Sequence, residues 1–503
     1  MHTLSACATL PPPPPRQASH ALPEPASTTL GRRVAAAQPK PGWSGFRVVT
    51  AGTDALAVLM LLADQAEHTL DLQYYLVHNE PSTRALLQHV RAAADRGVRV
   101  RLLVDDMHTA GNDNALRRLT EHPRIEVRLY NPLPGGRFST ITKVLSSLTD
   151  MPRINRRMHN KMFVADNALA FTGGRNLGDA YFLQSEKANF VDLDLLVAGP
   201  AVQALSRSFD RYWNSALAYP VSALVPEAPP APAASAASAP QLDTPPLAEP
   251  TLGLPPGAVA RDIAPGGALR LQWAPARLLA DHPAKIESPG KVSPEETMFD
   301  DLLSLLHAAR SEVLIVSPYL VPGERGMALL QALRERGVRV RILTSALAAT
   351  DAPVVHIGYA RYRVPMLKLG VELYELRPEL GAGNSRFGAF GPSRARLHAK
   401  AMTVDGRYLL VGSMNLDPRS IDLNSELGLL VNSSVLAGDM RRLFDEVVRA
   451  SSYRVTLRAG DELRWTTQDG DGAIVTADTE PESSLWRRLG LRLLAPLAPE
   501  EML

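Results

Sequence analysis

Cysteine is nearly absent. The single Cys7 in 503 residues excludes an internal disulfide framework, so the compartment cannot be read from bridges. No uninterrupted apolar run approaches the roughly 20 residues that a helix needs to cross a bilayer. An excess of charge of one sign is also lacking. With 54 basic and 52 acidic side chains and a net charge of +2, the chain has no general footprint for wrapping a polyanion, which counts against a nucleic-acid partner. There is no H-E-x-x-H, no Cys cluster and no Asp-rich calcium loop, so no metal or other cofactor is expected. A G-x-S-x-G nucleophile elbow is missing too. Gly290-Lys291 ends like a phosphate loop, but Val292 stands where Ser or Thr is required.

What is present is an ordinary globular composition, 45% hydrophobic and 21% charged, in a chain long enough for two cores. One eight-residue word occurs twice. His159-Asn160-Lys161-Met162-Phe163-Val164-Ala165-Asp166 and His398-Ala399-Lys400-Ala401-Met402-Thr403-Val404-Asp405 both read H-x-K-x-x-x-x-D. Gly173 and Asn176 follow the first word at the same offsets as Gly412 and Asn415 follow the second. Upstream, Arg96-Gly97-Val98-Arg99-Val100-Arg101 is echoed by Arg336-Gly337-Val338-Arg339-Val340-Arg341, each a Gly-terminated helix feeding a β-branched strand. Strands alternating with helices predict two α/β units, each a sheet flanked by helices. Helices are expected over Leu56 to Ala66, Thr83 to Asp95 and Met298 to Ala309, and a strand over Thr69 to Tyr75.

The expected domains are a leader at 1–41, a first α/β domain at 42–224, a Pro/Ala-rich linker at 225–268, a second α/β domain at 269–450 and a C-terminal part at 451–503. Leu4-Ser5-Ala6-Cys7 has the form at which bacterial lipoprotein precursors are cut and lipidated, with the charged and apolar signal regions expected upstream of Met1. On that reading Cys7 carries a lipid and the prolines from Pro11 to Pro25 form a stiff tether; otherwise Cys7 is incidental. Tyr453 to Leu463 and Ala473 to Thr476 read as strands of a hairpin turning near Asp469-Gly470. The last segment, Leu485-Trp486-Arg487-Arg488-Leu489, continues to Leu494 with Trp, Leu and Arg at helical spacing. It is either a helix lying in a lipid interface or one docked on the protein body.

Within each word the residues before the Asp read as a strand whose period of two puts His and Lys on one face. Asp166 and Asp405 complete the catalytic word; as residues they read as structural, beyond the strand in a hairpin turn and capping nearby donors. Asn176 and Asn415 are placed to donate amide hydrogens to a phosphate oxygen. Two imidazoles, two ammonium groups and two amides around one phosphorus suit a two-step displacement. One His attacks, the other protonates the leaving alcohol and then deprotonates the acceptor, and Lys and Asn hold the charge on the equatorial oxygens. Asp192 and Glu426 occupy corresponding strand positions, where each either orients an imidazole or is an exposed strand acid. Arg137, Arg156, Arg157, Arg394 and Arg396 lie near the words as headgroup ligands or as surface charge.

These words, with Gly173-Gly174-Arg175-Asn176 and Gly412-Ser413-Met414-Asn415 behind them, resemble the phospholipase D superfamily. Leu72-Gln73-Tyr74-Tyr75, Arg156-Arg157-Met158-His159 and Leu416-Asp417-Pro418-Arg419-Ser420 resemble the bacterial cardiolipin synthases within it. The resemblance implies two phospholipase D-like α/β/α sandwich domains related by a pseudo-twofold and sharing one active site. It implies transfer of a phosphatidyl group from phosphatidylethanolamine or phosphatidylglycerol to phosphatidylglycerol, with His159 as nucleophile and His398 as acid/base. Phospholipid substrates and a membrane surface of the bacterial envelope follow as partners, and an accessory protein is an open question. A hydrolase giving phosphatidic acid, a nuclease and a catalytically silent lipid-binding scaffold are the rival expectations.

Overall fold

The computed structural model describes residues 10–12, 15, 17–109, 112–135, 137, 140–145, 150–225, 257–287, 297–380, 393–468 and 472–494. Cys7, almost all of the Pro/Ala-rich stretch, Gly290-Lys291 and Asp469-Gly470 lie outside the described residues.

The first half supplies β1 (Ser44–Val49), β2 (Thr69–Tyr74), β3 (Arg99–Asp105), β4 (Ile125–Tyr130), β5 (Met162–Ala165) and β6 (Leu169–Gly173). β7 (Ala188–Val191), β8 (Asp194–Ala198), β9 (Ala218–Pro220) and β10 (Gln272–Ala274) follow. All but β7 form a nine-stranded sheet ordered β10-β1-β8-β6-β5-β2-β3-β4-β9, with β2, β3 and β4 parallel.

The second half replays it with β11 (Ala276–Ala280), β12 (Glu312–Val316), β13 (Arg339–Ser345), β14 (Glu372–Leu376), β15 (Arg394–Leu397) and β16 (Ala401–Val404). β17 (Tyr408–Gly412), β18 (Leu427–Asn432), β19 (Ser452–Leu457), β20 (Leu463–Gln468) and β21 (Ile474–Ala477) complete it. Its ten-stranded sheet runs β11-β18-β17-β16-β12-β13-β14-β19-β20-β21, so the C-terminal strands extend this sheet. The strand expected from Tyr453 to Leu463 is broken after Leu457, where Gly460 takes φ 81°.

The echoed Arg-Gly-Val words explain part of the symmetry. Gly97 (φ 100°) and Gly337 (φ 78°) occupy the left-handed position that ends a helix. In both halves the Gly N–H and the next N–H fold back: Gly97 to Ala94 O at 2.8 Å and Val98 to Ala93 O at 3.1 Å, Gly337 to Arg334 O at 2.9 Å and Val338 to Leu333 O at 3.0 Å. Each cap turns its helix straight into the central parallel strand.

Two features tie the halves into one body. A shared core cluster takes Phe46, Val164 and Trp213 from the first half and Leu314, Val411 and Leu429 from the second. The chain also runs from β10, at the edge of the first sheet, through Pro275 into β11, at the edge of the second. Proline has no N–H to give to a ladder, so one extended segment changes sheets there, past the boundary expected at 268.

The leader is also more than a tether. Thr28 caps the helix Thr29–Ala37, which buries Leu30 and Val34 against the first half. Ahead of it, Arg99 donates to His20 O at 2.6 Å, Arg101 to Ser19 O at 2.8 Å and Ala21 N to Asp210 Oδ2 at 2.9 Å. Proline stiffness is overridden here by buried apolar side chains and satisfied carbonyls.

Candidate active site

Each word is delivered by a hairpin, but its His and Lys stand just ahead of the strand. β5 starts at Met162 and β16 at Ala401. The backbone of these residues bonds across to the other half. His159 N donates to Ser425 O at 2.9 Å, and His398 N to Val191 O at 2.8 Å. The second junction is a two-stranded parallel ribbon of β15 and β7; the first is a parallel bridge between Met158 and Ser425.

These junctions bring the acids to the imidazoles, crosswise. Val191 and Ser425 immediately precede Asp192 and Glu426, so each carboxylate arrives beside the His of the other half. Asp192 Oδ2 lies 2.7 Å from His398 Nδ1. Glu426 reaches His159 Nδ1 with both oxygens, at 2.9 and 3.0 Å. The reading of both as exposed strand acids is corrected, since both are fully buried. A carboxylate on Nδ1 holds the ring proton there and leaves the Nε2 lone pair free to attack or to take a proton.

The imidazoles are only 8% and 5% exposed, His159 and His398 respectively. Burial pulls His159 down to about 4, against the opposing pull of Glu426. Burial and the Lys400 charge likewise lower His398. Both shifts favour the neutral ring. Lys161 Nζ sits 2.5 Å from His159 O, and Lys400 Nζ 2.6 Å from His398 O. Burial lowers Lys161 to about 7 and lowers Lys400 in the same direction. An arriving phosphodiester anion offsets that desolvation and favours the charged ammonium.

Tyr75 meets His159 edge-on at 5.0 Å, and Tyr181 meets His398 at 5.2 Å with Phe190 at 5.0 Å. Asn176 gives one of its two amide hydrogens to Tyr181 Oη at 3.0 Å and accepts from Leu76 N at 3.2 Å. Asn415 keeps a buried Oδ1 with no partner among the described residues.

Asp166 and Asp405 stand apart from this chemistry. Asp166 accepts the backbone N–H groups of Glu67, His68 and Thr69 at 2.8 to 2.9 Å. Asp405 accepts those of Arg310, Ser311 and Glu312. Both sit at the positive φ of the hairpin turn, 52° and 54°. They clamp the word to the loop before β2 or β12, the structural reading of these two residues. Arg157 is also absorbed internally, paired with Asp105 at 2.6 Å, and Arg137 with Asp106 at 2.8 Å and Asp113 at 2.7 Å.

Sequence reasoning missed Ser413, Gly174 and Asp281. Ser413 Oγ lies 2.5 Å from Glu426 Oε2. Gly174 leaves room for Asp192, whose Oδ1 a Cβ there would meet at 2.1 Å. Asp281 fixes the Glu426 backbone through N–H bonds of 2.8 and 2.9 Å in opposite directions. For Gly174 and Ser413 the sequence signal was the Gly-Gly and Gly-Ser pairs behind the words. No group of three or more His, Cys, Asp or Glu that could hold a metal ion occurs among the described residues.

On fold and site together, the molecule is an enzyme of the phospholipase D superfamily. The chain belongs to the family described as "Cardiolipin synthase, PLD-like domain", which it matches over residues 59–213 and 302–448. It is 38% identical over 467 residues to cardiolipin synthase C of Escherichia coli (strain K12), covering 92% of this chain and 97% of that one. Cardiolipin synthase A of Yersinia pseudotuberculosis serotype O:1b (strain IP 31758) is 23% identical over 415 residues, 81% of this chain and 70% of the relative. Among solved structures, phosphatidylserine synthase of Haemophilus influenzae Rd KW20 shares the fold with a TM-score of 0.59 at 13% identity, covering 91% of this chain and 95% of that chain.

Proposed function

We propose that the chain moves a phosphatidyl group from phosphatidylethanolamine or phosphatidylglycerol to the free hydroxyl of phosphatidylglycerol, forming cardiolipin. The crossed pairs His159–Glu426 and His398–Asp192 carry this reading. Two neutral imidazoles, each with Nδ1 pinned and Nε2 free, suit a double displacement in which one must be a nucleophile and the other must both give and take a proton.

In the first step His159 Nε2 attacks phosphorus and the bond from phosphorus to the headgroup oxygen breaks. The proton for the leaving oxygen comes from His398 Nε2, which takes it up from solvent as the phosphodiester charge enters and Asp192 stabilises the imidazolium. In the second step neutral His398 accepts the acceptor hydroxyl's proton, the alkoxide oxygen bonds to phosphorus and the P–N bond breaks. Lys161 and Lys400 hold charge on the non-bridging oxygens throughout. Burial of both rings supports transfer to an alcohol over transfer to water.

On this reading the enzyme works at a bacterial membrane, held through a lipid on Cys7, the C-terminal helix or both. No helix among the described residues is long and apolar enough to cross a bilayer. Mass spectrometry of products from vesicles of phosphatidylglycerol, with and without phosphatidylethanolamine, tests the activity. Cardiolipin from the intact protein and none from His398→Ala is expected; phosphatidic acid in its place makes the chain a hydrolase.

A further inference from the structure

The helix Leu485–Leu494 wears its apolar side chains outward. Trp486 is 81% exposed, Leu493 78%, Leu485 58% and Leu489 39%. Positions 485, 489 and 493 fall one above another at i, i+4 and i+8 with Trp486 beside them, so the exposed side chains form one stripe. The helix rests on Pro353–Lys368, where Val354 is exposed as well.

This is a fixed platform. In the loop before it, Glu480 pairs with buried Arg363 at 2.5 Å and with His356 at 3.4 Å. Glu482 receives Arg377 at 3.3 Å and the Tyr453 hydroxyl at 2.5 Å. Arg488 reaches back to Glu480 O at 3.3 Å and Ser483 O at 3.4 Å. A chain that anchors a helix so firmly while leaving Trp and Leu in water has a surface whose hydrophobic burial is still to come.

Beside the stripe the charge is basic. Burial and the nearby charges of Arg394 and Arg396 push Arg487 below the usual guanidinium range. Arg394 is exposed, with one N–H to Ala348 O at 3.4 Å. Arg394 and Arg396 lie on β15, and at ~3.3 Å of rise per residue Arg396 stands roughly 7 Å of chain from His398.

We propose that this face docks on an anionic phospholipid bilayer, with Leu485, Trp486, Leu489 and Leu493 entering the interface and Arg394, Arg396 and Arg487 meeting lipid phosphates. Charge selects this occupant over a second copy of the chain, because a twofold contact through the patch would set arginine against arginine. Indole amphipathicity suits the headgroup boundary, and three guanidinium groups suit its phosphates. The bilayer then lies along β15, the strand that ends just before His398, deepening the phospholipid reading on which the choice of lipids rests.

The test measures binding without turnover, so its outcome is separate from that of the product assay. The full chain without an acyl group, carrying His159→Ala so that the vesicle lipid is not turned over, is sedimented with vesicles of phosphatidylglycerol and phosphatidylcholine, or of phosphatidylcholine alone. Expected are binding to the anionic vesicles that weakens as salt rises and a loss of at least about tenfold in Leu485→Ser/Trp486→Ser/Leu493→Ser. Arg394→Ala/Arg396→Ala/Arg487→Ala lowers binding to anionic vesicles alone. Should the triple serine variant misfold by circular dichroism, Leu493→Ser alone weakens binding by about threefold. Wild-type binding in the serine variants overturns the proposal. So does a dimer, seen by sedimentation velocity, that the serine variants abolish while vesicle binding stays unchanged.

Discussion

The two halves offer the same chemistry and support it differently. In the first half Gly174 gives Asp192 its space, and a buried Arg175–Asp194 pair at 2.6 Å stiffens the loop behind it. In the second half the corresponding positions are Ser413, Met414 and Gly428: Ser413 bonds the acid directly, and the ion pair is replaced by apolar packing. The longer Glu426 closes on His159 with both oxygens, where Asp192 touches His398 with one. The tyrosines that follow β2 and β12 differ as well. Tyr75 Oη meets the imidazole of His108 at 2.9 Å, while Tyr319 donates to Asp351 at 2.9 Å. Duplication supplies equal reacting groups, and their surroundings are what can divide the roles between them.

The comparison breaks most completely at the imidazoles. His159→Ala and His398→Ala are each expected to lower turnover by about 10³-fold or more. Intact-protein mass spectrometry separates them: the phosphatidyl adduct formed by His398→Ala sits on His159, whereas His159→Ala carries none. An adduct on His398 in the first-half variant exchanges the roles.

Next come the crossed acids. Glu426→Gln and Asp192→Asn are each expected to lower kcat by roughly 10² to 10⁴-fold, because an amide permits the wrong ring tautomer. A double-mutant cycle should find Glu426 coupled to His159 and Asp192 to His398; coupling within one half would dismantle the crossed arrangement.

Exchanging the residues behind the acids sharpens the asymmetry. Gly174→Ser places atoms where the Asp192 carboxylate sits and should cost more activity than Ser413→Gly, which removes one hydrogen bond worth about 1.5 to 3 kcal/mol to a charged acceptor. Steady-state kcat for the pair decides it.

The lysines set a pH window. In the empty site Lys161 loses its proton as pH rises through about 7, and His159 gains one as pH falls through about 4. The kcat/KM of the free enzyme should therefore fall on either side of that interval, and Lys161→Arg should move the alkaline limb upward. An unmoved limb assigns it to another group.

The smallest effect on chemistry is expected at the last residue of each word. Asp166→Ala and Asp405→Ala orphan backbone N–H groups and should cost about 1 to 3 kcal/mol of stability, read as a lower melting temperature, Asp166 more because it is buried and Asp405 is half-exposed. The kcat of the folded fraction should be unchanged.

The hairpins and their aspartates were legible in the chain because turn chemistry is local, and the Arg-Gly-Val caps were legible for the same reason. The duplication exposed the reacting groups, since both words stand in register. The crossing of the acids was hidden: it depends on β7 pairing with β15 and on Met158 meeting Ser425, contacts between segments far apart that no periodicity encodes. The bond from Asn176 to Tyr181 was hidden too, since a short turn at Asp179–Tyr181 brings the phenol to the amide. The leader was read from its prolines, while Leu30 and Val34 decided where it lies.

The crossing also has a consequence for heredity. A single half holds a nucleophile without its orienting acid and an acid without its nucleophile, so a chain of half this length could complete the set only by pairing with its twin. Once two copies share one chain, neither drifts alone: a substitution at Glu426 is selected through His159, and one at Asp192 through His398. What reads along the sequence as two repeats is, for mutation and selection, one indivisible unit.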